Sequence, residues 1–228
     1  MASNLEVFPS HLSPTTSSKP RRRSPRYGKP SAAIRSKQAK PYEAALAYAI
    51  ANERYLGLEF VFITIWLGGT IYADAHNYES VIAHKLELLR KWLWQRGVPF
   101  YPFWVREIGD TKGEHLHLLL HCPKQLLHCP KGFRAYVRDT FPKRAPGALK
   151  IEARKYHQAC EGCDEIRDWK HLAGRYFLKG STNIVRERNG INKCASALPE
   201  IYSQDQGTIR GKRLGYPRPF AKSARGRT

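Results

Sequence analysis

The chain has 228 residues, room for one well-packed domain with tails or for two small ones. Its 39 Lys and Arg face 19 Asp and Glu, a net charge of +20, which points to a polyanionic partner, most often nucleic acid. No apolar run reaches the roughly 18 residues that span a bilayer, the N-terminus lacks the apolar core of a secretion signal, and five cysteines form no small-scaffold disulfide pattern.

Residues 1–40 carry nine basic residues and one acidic residue, Glu6. They are rich in Ser, Pro and Arg and poor in large apolar side chains, the composition of a disordered basic arm. Arg21-Arg22-Arg23 in this arm suits nucleic-acid binding or nuclear import. A globular domain is expected over 41–204. It opens with an Ala-rich helix over 42–56. Glu59 to Leu67, with Phe60-Val61-Phe62-Ile63-Thr64-Ile65-Trp66, is an unbroken run of β-formers and reads as a central strand. A helix follows over 78–96, with Ile82, Leu86, Leu89 and Leu93 on one stripe and Gly97 past its end. Phe100 to Ile108 and Glu114 to His121 read as a hairpin around Gly109-Asp110-Thr111-Lys112-Gly113. A short helix near 133–141, a strand over 149–153 and a helix over 164–179 stopped by Gly180 complete the domain. Residues 205–228 hold seven basic residues and Asp205 and read as a second basic tail. The order predicts an α+β fold, with helices on one face of an antiparallel sheet and the other face left for a ligand.

The chemistry centres on the hairpin. His115 and His117 are alternate residues of one strand, so their side chains share a face. With the turn centred on Thr111, Glu107 lies directly across from His115 on that face. Two imidazoles and a carboxylate with open positions form a divalent-metal site; a slip of one residue would turn Glu107 away. The last helix places Ile166, Trp169, Ala173, Tyr176 and Lys179 on one broad face. Apolar residues would seat that face on the sheet and bring Tyr176 and Lys179 to the edge of the metal site. A tyrosine beside a cation and a metal-polarised phosphate is a plausible nucleophile. His121-Cys122-Pro123-Lys124 recurs as His128-Cys129-Pro130-Lys131, a local duplication with no assigned function, and Cys160 and Cys163 have the spacing of half a zinc site.

Together these segments resemble the HUH endonucleases, in particular rolling-circle replication initiators with one catalytic tyrosine. The apolar strand with Thr64, the His115-Leu116-His117 motif with Glu107 eight residues upstream, and Tyr176 followed by Lys179 stand in the family's order, over about 59–181. The resemblance implies a five-stranded antiparallel sheet flanked by helices, related to the RNA-recognition-motif fold. It also implies Mg²⁺ or Mn²⁺ on Glu107, His115 and His117, and attack by Tyr176 on single-stranded or hairpin DNA at an origin, leaving a 5′-phosphotyrosine. Lys179 would orient the phosphate or the tyrosine. No G-x-x-x-x-G-K-[ST] loop is present, so a helicase would be supplied in trans. The expected setting is a plasmid or virus, in a bacterial cytoplasm or a host nucleus, with no membrane association. Two alternatives are a single-tyrosine transposase of a small insertion sequence and a non-catalytic sheet that binds nucleic acid through its aromatic residues. Histidine-triad hydrolases need a third alternate histidine, where this chain has Leu119.

Overall fold

The computed structural model describes residues 30–53, 55, 58–75, 77–109, 113–154, 169–192 and 207–226. It is an α+β fold around a five-stranded antiparallel sheet. The strands are β2 (Glu59–Trp66), β3 (Phe103–Gly109), β4 (Gly113–Cys122) and β5 (Leu149–Arg154), with a two-residue β7 (Leu214–Gly215). Their spatial order is β5-β2-β4-β3-β7. A separate ribbon pairs β1 (Pro30–Ser31) with β6 (Ile209–Arg210). No described helix is long and apolar enough to cross a membrane.

The register follows from alternation. In β2, Val61, Ile63 and Ile65 point to one face and Phe60, Phe62 and Thr64 to the other. Pairing with β4 sets Phe62 opposite Leu119 and Thr64 opposite His117. The β3–β4 hairpin sets Glu107 opposite His115 and Gly109 opposite Gly113, the pairing expected for a turn centred on Thr111. Gly113 adopts φ +69°, a conformation that favours glycine and lets the chain re-enter the strand.

Both sheet faces carry helices, a correction to the one-sided arrangement read from the sequence. On one face, Val61, Ile63, Ile65, Leu116 and Leu118 pack against α2 (Tyr78–Trp94) and α4 (Phe133–Thr140), through residues such as Ile82, Leu89, Leu93 and Phe133. Asn77 caps α2 by accepting hydrogen bonds from the backbone amides of Glu79 and Ser80. On the other face, Phe60, Phe62, Phe103 and Leu119 lie under α1 (Ser36–Ala51), the 169–178 segment and α7 (Arg218–Arg225). Two short helices, α3 (Lys124–His128) and α6 (Asn183–Arg188), follow β4 and the 169–178 segment. Both faces of the central strand β2 are covered, which explains why it reads as a nearly continuous apolar run.

Helix α1 begins six residues before the predicted start, inside the stretch read as a disordered arm, and runs through Pro41. Proline removes one backbone donor, but Ala39, Tyr42, Ala45 and Ala49 are fully buried and hold the helix in place. Residues 1–29 of that arm lie outside the described residues. The C-terminal tail reading also changes: β6, β7 and α7 fall within 205–228, and β7 supplies the fifth strand of the sheet. Phe220 of α7 packs against Tyr48 at 5.3 Å and Tyr101 at 4.4 Å between ring centroids. Among the described residues, the last expected helix is not regular α-helix. Trp169–His171 is α-helical (α5), and Leu172–Tyr176 is a π-helical turn. Residues 164–168, with Ile166, lie outside the described residues.

Candidate functional site

Glu107, His115, His117, Tyr176 and Lys179 come together at the hairpin end of the sheet, on the face shared by Phe62 and Thr64. The strand pairing explains the first three: β3 and β4 set Glu107 beside His115, and β4 carries His117 two residues on. The 169–180 segment crosses this face and delivers the other two. Its placement is fixed from the N-terminal side of the domain. The Tyr42 hydroxyl donates to the Ala173 carbonyl at 2.7 Å. The Ile34 amide donates to the Gly180 carbonyl at 2.9 Å, and the Thr182 amide donates to the Ile34 carbonyl at 3.1 Å. Within the π turn, the Phe177 amide donates to the Leu172 carbonyl, a wider turn than an α-helix makes. π turns of this kind are frequent at functional sites.

Glu107 is the electrostatic centre. Its Oε2 lies 3.1 Å from Lys179 Nζ and 3.4 Å from His117 Nε2. Glu107, His117 and Lys179 are 6 %, 8 % and 5 % exposed, so the group is a buried ionic cluster. Burial alone pushes the Glu107 carboxyl up, but the charges and hydrogen bonds of His117 and Lys179 outweigh it and hold the group below its ordinary range. Lys179 is therefore no solvated helix-end charge. Its ammonium also sits 3.9 Å from the centroid of the Tyr176 ring, a cation–π contact. Tyr176 meets His117 edge to face at 5.5 Å and Phe62 at 6.1 Å between ring centroids.

His117 is held on three sides. Phe62 stacks on it with centroids 5.5 Å apart and planes at 11°. Its Nδ1 shares a hydrogen bond with Thr64 Oγ1 at 3.1 Å. A hydroxyl both donates and accepts, so Thr64 serves either tautomer of the ring. This role was not read from the sequence. Its signal is the β2–β4 register, which sets Thr64 directly opposite His117. His115 lies parallel to His117 at 6.3 Å between centroids. The carboxylate of Glu107 is turned to His117 and Lys179 in this arrangement.

A divalent ion suits these donors chemically. Two imidazoles and one carboxylate stand at neighbouring positions of one sheet face, and Glu107 Oε1 is buried with no hydrogen-bond partner among the described residues, an acceptor that a cation would satisfy. The Lys179 ammonium supplies positive charge to the other oxygen. Among the described residues, no three or more His, Cys, Asp or Glu side chains already surround one point.

The remaining candidates lie apart. Cys122 is buried in the apolar cluster with Leu127 and Phe133, whereas Cys129 is exposed. Burial first, and the Glu59 charge second, push the Cys122 thiol up to about 12. Cys160 and Cys163 lie outside the described residues. The two copies of the tandem repeat differ in surroundings. His121 is buried and stacked on Tyr55, with ring centroids 3.5 Å apart. His128 lies on the surface, 3.0 Å from Glu59. No protein-family profile, curated protein or solved structure matches this chain.

Proposed function

We propose that the chain nicks and rejoins single-stranded DNA at a replication origin, as an HUH-type initiator whose nucleophile is Tyr176. The observation that carries the reading is the meeting of Tyr176 with the buried ionic cluster of Lys179, Glu107 and His117, residues from separate parts of the sequence. A structural tyrosine at a core edge needs no lysine over its ring, and a buried lysine–glutamate pair contributes little net stability. Both are useful where a phenolate must form beside a phosphodiester.

The Tyr176 hydroxyl loses its proton, and its oxygen attacks the phosphorus. The new Tyr–O–P bond replaces the P–O3′ bond, and the departing 3′ oxygen takes up a proton. One phosphodiester is exchanged for another, so the reverse reaction rejoins the strand without an external energy source. Lys179, held over the ring, stabilises the phenolate. Glu107 fixes the ammonium of Lys179, and Thr64 and Phe62 fix the plane of His117. Glu107, His115 and His117 would hold Mg²⁺ or Mn²⁺, which neutralises charge on the scissile phosphate when bound. The helicase needed at an origin would act in trans. A single-tyrosine transposase would use the same chemistry and differ only in its DNA target.

The test is incubation of the full chain with a library of single-stranded oligonucleotides and Mn²⁺, followed by denaturing electrophoresis and peptide mapping. A covalent adduct on Tyr176 is expected, absent in EDTA and in Tyr176→Phe. Lys179→Met is expected to slow its formation by roughly a hundredfold or more, the usual effect of removing one preorganised charge. An adduct on another residue, or full cleavage by Tyr176→Phe, would overturn the assignment.

A further inference from the structure

On the other side of the sheet from Tyr176 lies a cleft of about 630 Å³, between α2 and the 212–219 segment. Trp104 of β3, largely buried, forms part of its wall together with Phe100 and Tyr216, and Ile82 and Leu86 line the helical side. The lining holds four basic residues, Arg90, Arg106, Lys212 and Arg218, and two acidic ones, Glu79 and Glu87. Two of the four cations are already committed. Glu87 grips Arg90 through both oxygens at 2.7 and 2.6 Å, and Arg106 pairs with Glu114 at 2.6 Å.

Lys212 and Arg218 are different. Neither side chain makes an ion pair among the described residues. Both residues are exposed along much of their length, but the Lys212 ammonium is tucked in towards two rings, its Nζ 5.2 Å from the Trp104 centroid and 5.8 Å from that of Tyr216. Burial, and then the Arg218 charge, hold the Lys212 ammonium below its ordinary range, with Glu79 opposing them. An anion between the two side chains would relieve that repulsion. Gly211, at φ +82°, keeps this wall close to α2: a Cβ there would run into the Glu79 carboxylate. Two cations without an ion pair among the described residues, beside aromatic side chains of the wall, suit a ligand with a phosphate and a planar ring.

We infer that this cleft takes an unpaired nucleotide of a single-stranded nucleic acid, its base against Trp104 and Tyr216 and its phosphate between Lys212 and Arg218. On a chain of net charge +20, a strand is the occupant that the rest of the surface also attracts. The inference rests on the chain being a single-strand binder, but not on any chemistry at Tyr176. It is tested with the full-length Tyr176→Phe chain in EDTA, where no cleavage can occur, by fluorescence anisotropy of a short labelled oligothymidylate and of an abasic strand of equal length. The abasic strand is expected to bind roughly tenfold more weakly, for want of one stacked base. Adding Lys212→Ala and Arg218→Ala should weaken oligothymidylate binding and flatten its log–log salt slope by about 0.7, for the one phosphate no longer neutralised. Adding Trp104→Leu should shrink the abasic penalty. Should Trp104→Leu fail to fold, the charge variants, on surface side chains, decide alone. An unchanged affinity and slope in the charge variant would overturn the inference, and the Tyr176 adduct, measured separately, would still stand or fall on its own. Displacement of the strand by free thymidine monophosphate at comparable concentration would also overturn it, assigning the cleft to a mononucleotide instead.

Discussion

Thr64 shows how much one hydroxyl can control. It touches His117 Nδ1 at 3.1 Å, and the partner on one ring nitrogen decides what the other can do. When Thr64 accepts a hydrogen bond from Nδ1–H, Nε2 presents a lone pair to a metal. When it donates, Nε2–H faces the Glu107 carboxylate at 3.4 Å. Thr64→Val keeps the shape of the side chain and removes this control. Loss of such an outer partner costs roughly 10- to 100-fold in metal affinity or activity. Mn²⁺ titration by calorimetry should show that loss in Thr64→Val and recovery in Thr64→Ser; an unchanged Thr64→Val affinity would leave the hydroxyl a packing role only. Glu107 carries a pH signature of its own. Its folded pKa is depressed below the ordinary value of 4.5 by His117 and Lys179, against the opposing effect of burial. The stability it contributes is therefore fully present above that value and is lost as the pH falls through the depressed one. In metal-free buffer, the gap in urea midpoint between the native chain and Glu107→Gln should narrow as pH falls below the ordinary carboxylate range. A gap that stays constant to the lowest pH at which the chain folds would rule out Glu107 as the linked group.

At the scale of elements, the hairpin and the last helix were legible to different degrees, for a physical reason. The β3–β4 turn is short, so its symmetry about Thr111 fixes the register, and Glu107 falls opposite His115 as its spacing demands. The partners of Tyr176 and Lys179 are set by contacts distant in sequence, above all Lys179 with Glu107. Helical spacing placed the two residues on one face but gave no sign that the turn would be π-helical or that Lys179 would be buried. That turn leans on α1 through the Tyr42 hydroxyl and the Ala173 carbonyl. Tyr42→Phe leaves a buried carbonyl without its donor, at a cost of about 1–3 kcal/mol. The change should lower the melting temperature and slow adduct formation while leaving single-strand binding intact. Unchanged cleavage in a destabilised variant would show that the hydrogen bond supports the fold without setting the position of Tyr176.

Over the whole molecule, the sequence told more about the centre than about the ends. Long strands and an amphipathic helix leave periodic patterns, whereas β1, β6 and β7 are two residues each and leave none. Their Gly- and Pro-rich, basic surroundings read as tails because composition describes average behaviour and cannot register a few long-range contacts. Arg213 is such a contact: its fully buried guanidinium donates to the carbonyls of Ala32 and Gly207 at 2.7 and 3.0 Å. The electrostatic role of the N-terminal arm is therefore tested by a cut at residue 29, ahead of β1, which removes six basic residues and Glu6. The salt slope of single-strand binding should flatten by roughly 0.7 for each phosphate that the arm neutralises. A slope that does not change would mean that the arm does not touch the nucleic-acid backbone.

The two-residue strand β7 has a consequence for how the molecule behaves among its own copies. It covers the outer side of β3 through the pairs Trp104–Gly215 and Val105–Leu214, while the Arg106 amide donates to the Arg213 carbonyl at 2.8 Å. Cover that short is held by its flanks, Arg213 on one side and α7 on the other. A chain ending before residue 207 would present the β3 backbone to solvent as an open template, and a neighbouring copy could add its own strand there. Light scattering should then show growth of assemblies with concentration in the shortened chain and none in the intact one. On that view the C-terminal segment occupies the place on β3 where a second copy could otherwise add a strand.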